Sequence, residues 1–268
     1  MRYIFIILIL SIVFAFQEKK KIIIQSTTSI RDSGFYDYML NEYNKNSKTK
    51  INVVAVGTGQ ALRNAKNCDG DLLFVHHKPS EIDFVLKEYG LYRKDVMYNH
   101  FILVGPKNDP AKVKDIGDIK RAFKKIFDTK SKFVSRGDNS GTHKKEQSIW
   151  KSINKNINPK TSDWYLETGS GMGTSLNVAV NLFGYILTDR ATWISYKNKN
   201  NHVIFVENEP NLLNFYGIIP INPKKCPNID IIESEKFIGW ILSEKGQSLI
   251  NSFRINNQKL FFGIKEIN

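Results

Sequence analysis

The chain has 268 residues, with 39 Lys and Arg against 26 Asp and Glu, a formal net charge of +13. Its apolar fraction of 41% and charged fraction of 24% are those of an ordinary globular protein. The lysines are scattered along the chain and no basic patch is concentrated, which argues against a nucleic-acid partner.

A short basic start, Met1-Arg2-Tyr3, precedes an almost wholly apolar run over 4–16, and Glu18-Lys19-Lys20-Lys21 follows it. The run is short for a bilayer span but fits a signal-peptide core, with a cut after Ala15. An uncleaved anchor is the alternative. No Cys follows the run, so nothing supports a lipid-anchored form. The expectation is a signal peptide over 1–16 and a secreted, periplasmic product. Two cysteines remain, Cys68 and Cys226. An oxidising compartment permits a bridge between them, but the sequence does not show whether their β-carbons meet.

Strand and helix signals then alternate. Residues 22–24 read as a buried strand. Phe35, Tyr36, Met39, Leu40 and Tyr43 recur at helical spacing. Strands are expected over 51–56, 72–75 and 101–104, with helices over 60–67 and 81–89, the latter beginning after Pro79. This rhythm predicts a parallel sheet with helices on its faces. A breaker cluster, Gly105-Pro106 and Asn108-Asp109-Pro110, interrupts it. The rhythm restarts with helices over 119–127, 142–153 and 176–183 and strands over 133–134, 185–187 and 203–206. A β-rich stretch over 212–219 leads to a long helical stretch over 235–253 that Gly246 interrupts. The reading is an α/β protein of two lobes, the first made of 17–104 and 214–268 and the second of 105–213. Crossover strands form the hinge, and ligands bind between such lobes at strand C-ends.

Four strand-to-helix turns are rich in Gly, Ser and Thr: Ser26-Thr27-Thr28-Ser29; Gly57-Thr58-Gly59; Ser135-Arg136-Gly137-Asp138-Asn139-Ser140-Gly141-Thr142; and Thr168-Gly169-Ser170-Gly171-Met172-Gly173-Thr174-Ser175. The first N–H groups of a helix lack intrahelical partners and carry partial positive charge. Glycine admits close approach, and hydroxyls add uncharged donors. Two such turns on each side of a cleft make an anion site; any one of them alone reads more readily as an ordinary N-cap, and it is the four together that favour the site. Arg136 supplies a planar cationic fork, with Asp138 placed to orient it. The candidate oxyanion contacts are Thr27, Thr28, Ser29, Thr58, Arg136, Ser140, Gly141, Thr142 and Gly173. His143, Lys144 and Lys145 read as solvent-facing.

Other chemistry fits less well. His76 and His77 are adjacent and do not share a face, and with Cys68 they match no metal-ligand spacing. None of the glycine turns is a P-loop, and no Gly-x-Ser-x-Gly elbow stands in context. Apart from His143, after Thr142, no His adjoins a candidate Ser in the turns, so no catalytic residue, metal or cofactor is assigned.

The four turns carry a family resemblance. Ser26-Thr27-Thr28-Ser29 with Ser33-Gly34, Val56-Gly57-Thr58-Gly59-Gln60-Ala61-Leu62 and Asp71-Leu72-Leu73-Phe74-Val75-His76 resemble segments of the tungstate-binding TupA family. So do Met97-Tyr98-Asn99-His100-Phe101, the segment from Ser135 to Glu146, Gly169-Ser170-Gly171-Met172-Gly173 and Leu187-Thr188-Asp189-Arg190-Ala191-Thr192-Trp193. Ser26 stands where that family usually has Thr, and Ile30-Arg31 replaces a more polar pair. The resemblance implies a type II periplasmic-binding-protein fold. It also implies a non-enzymatic, monomeric solute-binding protein that hands tungstate, and possibly molybdate, to the membrane permease of an ABC importer. A phosphate-binding component is the alternative, because the Arg136, Asp138 and Ser140-Gly141-Thr142 segment is similar to that family as well. Phosphate keeps a proton near neutral pH and needs an acceptor. The turns offer only Asp32 and Asp138, and Asp138 is committed to Arg136, so they favour a deprotonated anion.

Overall fold

The computed structural model describes residues 20–264, so the apolar run and its cut lie outside the described residues. The first part of the described chain forms β1 (Lys21–Thr27), α1 (Thr28–Asp32), α2 (Phe35–Asn44), β2 (Lys50–Val56), α3 (Thr58–Lys66), β3 (Leu72–Val75), α4 (Lys78–Leu86) and β4 (Lys94–Pro106). α5 (Ile119–Thr129), β5 (Phe133–Ser135), α6 (Gly141–Ser152), β6 (Tyr165–Glu167), α7 (Met172–Leu182), β7 (Ile186–Asp189), α8 (Arg190–Ser195) and β8 (His202–Val206) come next. A 3-10 turn, Pro210–Leu212, leads into β9 (Leu213–Pro220), α9 (Ile231–Leu242) and α10 (Glu244–Ser252). Three two-residue strands end the described chain: β10 (Arg254–Ile255), β11 (Gln258–Lys259) and β12 (Phe262–Gly263).

The sheet order is β12-β4-β9-β3-β1-β2, with β7 and β8 pairing to β4. β1, β2 and β3 run parallel, whereas β9 runs antiparallel to β3 and β4. The sheet is therefore mixed, and the expected all-parallel arrangement holds only for its first three strands. Every residue of β3 is buried, as a strand covered on both faces requires. The decisive element is β4. It pairs with β9 up to His100, then with β7 from Phe101 and with β8 up to Pro106. One strand thus serves two sheets, and the Gly105-Pro106 pair read as a breaker is its last two residues. Glycine is needed there, because a β-carbon at 105 would fall 2.3 Å from the Tyr185 ring.

Separate cores stand on either side of that change of partner. Ile22, Ile24, Phe35, Met39 and Phe74 pack with Phe237, Ile241 and Ile250, so α9 and α10 return onto the first strands. Phe123, Phe133, Trp150, Trp164, Tyr165 and Tyr185 form an aromatic core for the middle of the chain. The long C-terminal helix breaks at Ser243, not Gly246: Ser243 ends α9 and caps α10, its Oγ accepting from the Gly246 N–H at 3.3 Å. α4 begins one residue before Pro79, capped by the His77 side chain, and ends at Leu86. Cys68 and Cys226, 158 residues apart, form a disulfide with Cα atoms 5.3 Å apart, which resolves the open question of their pairing.

Candidate functional site

Four helices begin at the four turns, and their starts differ from ordinary caps. Thr27, Gly57 and Gly171 precede α1, α3 and α7 without any side-chain cap. Only Ser140 caps, accepting from the His143 N–H at 3.3 Å. The plain N-cap reading therefore accounts for one turn of four. Thr58, the first residue of α3, is 1% exposed, and its Oγ1 has no hydrogen-bond partner. A buried hydroxyl left unpaired costs about 1–3 kcal/mol. It is the feature a bound acceptor would satisfy.

Arg136 leaves β5 and is also buried. Its Nη2 pairs with Asp138 Oδ2 at 2.5 Å, and its Nε donates to the Ser170 carbonyl at 3.4 Å. Asp138 Oδ1 accepts from the Ser140 N–H at 3.1 Å, so the carboxylate is spent within the turn, as its spacing predicts. The turn itself needs Gly137, which has φ +61° and lies where a β-carbon would meet Glu167 at 2.7 Å.

The sequence-predicted residues distribute as follows. Thr27, Ser29, Ser140, Gly141 and Thr142 are buried, and Thr28 is half-buried. Thr27 Oγ1 and Ser29 Oγ lie 3.1 Å apart. Gly173, on the first turn of α7, is exposed with open space around it; the residues of its loop that meet Arg136 are Ser170, whose carbonyl accepts from Nε, and Thr168, whose hydroxyl donates to the Arg136 carbonyl at 3.3 Å. Arg31 is exposed and pairs with its neighbour Asp32 at 2.8 Å. The two sides of the cleft touch. A β-carbon at Gly141 would sit 2.6 Å from His76 Cε1, and one at Gly59 would sit 3.6 Å from the Asn139 carbonyl.

His76 is the residue the sequence reading passed over. It follows β3 directly, at a strand C-end, which was the available signal. It is buried, whereas His77 is half-buried. His76 Nε2 lies 3.3 Å from Ser29 Oγ, and Nδ1 lies 3.1 Å from Asn214 Oδ1. Burial holds its pKa down to about 4, and the nearby Arg136 and His77 charges act the same way against the Asn214 hydrogen bond. A second overlooked residue, the acid Asp189, ends β7. Burial raises its pKa, while its two oxygens accept from the Thr192 N–H at 2.8 Å and the Thr192 hydroxyl at 2.6 Å. Lys144 and Lys145 are half-buried and not simply solvent-facing. Lys144 Nζ reaches across to Ser80 Oγ at 3.0 Å. Both lysines line a cavity of about 210 Å³ with His76, Gly141 and Asn214. Among the described residues no group of His, Cys, Asp and Glu could hold a metal ion.

Comparison with known proteins agrees with this geometry. The PBP superfamily domain matches residues 15–245. The tungstate-binding protein TupA of Peptoclostridium acidaminophilum is 49% identical over 239 residues, 88% of this chain and 82% of that protein. TupA of Campylobacter jejuni is 40% identical, with 87% of each chain covered. The solved tungstate-binding protein TupA from Desulfovibrio alaskensis superposes with a TM-score of 0.80 at 38% identity, covering 91% of this chain and 98% of that one. The chain belongs to the PBP superfamily and, within it, to the TupA family.

Proposed function

We propose that the chain is a periplasmic solute-binding protein that closes around a tungstate ion and delivers it to the permease of an ABC importer. The observation that carries the reading is the Thr58 hydroxyl, buried and unpartnered beside helix starts that no side chain caps. Arg136 adds the one full cationic fork, and its carboxylate partner is already engaged. Donors predominate, and two of the nearby carboxylates are occupied, Asp138 by Arg136 and Ser140 and Asp189 by Thr192. Such a site suits an anion without a proton, which favours tungstate or molybdate over phosphate. The names of the relatives favour tungstate between those two.

No catalytic role or cofactor is assigned. Ser29, His76 and Asn214 do stand in the order of nucleophile, base and orienter. A base held near 4 is too weak, however, to activate a hydroxyl at neutral pH, where catalysis needs one poised near 7. Titration calorimetry with tungstate, molybdate, sulfate and phosphate tests the reading. Tungstate should bind most tightly, with molybdate its nearest competitor. Preference for phosphate would replace the reading with the phosphate alternative.

A further inference from the structure

We propose that His76 is the positioning residue that props the Ser29 turn against the anion and ties anion capture to the strands through which the chain passes between its two sheets. The inference rests on the anion-site reading above. The hydrogen-bond network fixes the tautomer of the imidazole. Asn214 Nδ2 donates to Asn99 Oδ1 at 2.8 Å, so Asn214 turns its own Oδ1 toward the imidazole. Two acceptors cannot share a hydrogen bond, so His76 Nδ1 carries the proton and donates to that oxygen at 3.1 Å. Nε2 is then a bare acceptor, 3.3 Å from Ser29 Oγ, and takes the serine's hydroxyl hydrogen. Ser29 thereby props the turn with its side chain and does not offer that hydrogen to the anion.

The other end of the network lies where the two passages meet. Asn99 on β4 and Asn214 on β9 are direct register partners, one residue before the last β4–β9 pair, His100 with Leu213. Asn99 Nδ2 also donates to the Tyr216 hydroxyl at 3.2 Å, and the Tyr216 ring packs on the imidazole with centroids 4.8 Å apart. Gly141 also closes onto the ring, with no room for a β-carbon. The turn that meets the anion, the start of α6 and both passage strands therefore converge on one imidazole. Displacing any of them moves the ring, and a rigid hydrogen-bonded ring passes the displacement on. The charged and titratable groups around it are Arg136 across the cleft, His77 beside it, Lys144 and Lys145, which line the same cavity, and Tyr216, which packs near Asp189.

The test uses the full mature chain with tungstate as probe, by calorimetry and X-ray scattering. The wild type must first bind tungstate and shrink in radius of gyration. If it does neither, the function reading fails before this inference is reached. Given that, His76→Ala should bind at least tenfold more weakly and show a smaller contraction at saturation, and His76→Gln should recover part of both. Asn214→Asp supplies a readout that mere packing would not move. A carboxylate behind the imidazole favours its charged form, which adds a cation to the site and returns the Ser29 hydrogen to the anion. Its tungstate affinity should rise as pH falls from 8 to 5, while the wild type stays nearly flat. The Asn214→Asp profile also carries the test should His76→Ala fail to fold. Binding and contraction of His76→Ala within twofold of wild type, or a flat profile for Asn214→Asp, would overturn the proposal.

Discussion

Arg136 and Asp138 form an ion pair of 2.5 Å, two residues apart, on a turn where their side chains are only 7% and 18% exposed. Asp138 pulls on one edge of the guanidinium, and the Ser170 carbonyl fixes Nε. Such a fork is already oriented in the ligand-free chain, so on the proposed reading it would lose little order in taking an anion. Arg136→Ala should therefore cost about 2–5 kcal/mol of tungstate affinity, the range for truncating a buried charged partner. Arg136→Lys should recover only part of it, because a point charge replaces the fork. Arg31→Ala is the control: that side chain is exposed and paired with Asp32, and its loss should leave affinity nearly unchanged. Calorimetry on the three variants checks the ordering.

Thr58→Val separates binding from stability. The hydroxyl is buried without a partner in the ligand-free chain, so removing it should leave ligand-free stability unchanged or raised. Tungstate affinity should fall by about 1 kcal/mol, near the net value of one hydrogen bond. Thermal melts with and without tungstate read both quantities. A drop in ligand-free stability with unchanged affinity would mean that the hydroxyl serves the fold.

The second core carries a buried acid that makes stability depend on pH. Glu146 on α6 accepts from the Tyr165 hydroxyl at 2.6 Å and from Trp150 Nε1 at 3.1 Å. Burial pushes its pKa up from the ordinary 4.5 to about 7. The folded chain then holds this proton more tightly than the unfolded chain. The contribution is full below about 4.5 and is lost as pH rises toward about 7. The buried histidines shift the other way, so the sign is read from a difference. The stability of wild type minus that of Glu146→Gln should shrink as pH rises through this window in denaturant titrations. A difference that grows with pH would contradict the assignment.

The legible parts of the fold were those that local chemistry decides. Leu72–Val75 is an unbroken apolar run bounded by polar residues, and β3 occupies those four positions. α5 and α6 start within one residue of expectation, where Asp118 and Ser140 cap them. The first half of β4 was missed because Asp95, Asn99 and His100 interrupt its apolar pattern, and its pairing with β9 is a partner more than a hundred residues away. β6, α8 and the strands after α10 are too short to carry a period. Within the site, hydroxyl-rich turns and Arg136 were visible as clusters in sequence. His76 was not, because its meaning comes from Ser29, Gly141 and Asn214, which only the fold brings to it.

In the proposed function the cleft captures a deprotonated tetrahedral anion with hydrogen-bond donors. Tungstate carries no proton across pH 6–8. Among the histidines nearest the site, His76 and His77 are both held down to about 4 by burial, and burial lowers His143 too. One calorimetric series at pH 6, 7 and 8, with tungstate and phosphate in matched buffers, therefore tests the claim directly. Tungstate should bind tightly with nearly constant affinity, and phosphate weakly. Tight phosphate binding with a clear pH slope, beside weak tungstate binding, would contradict it.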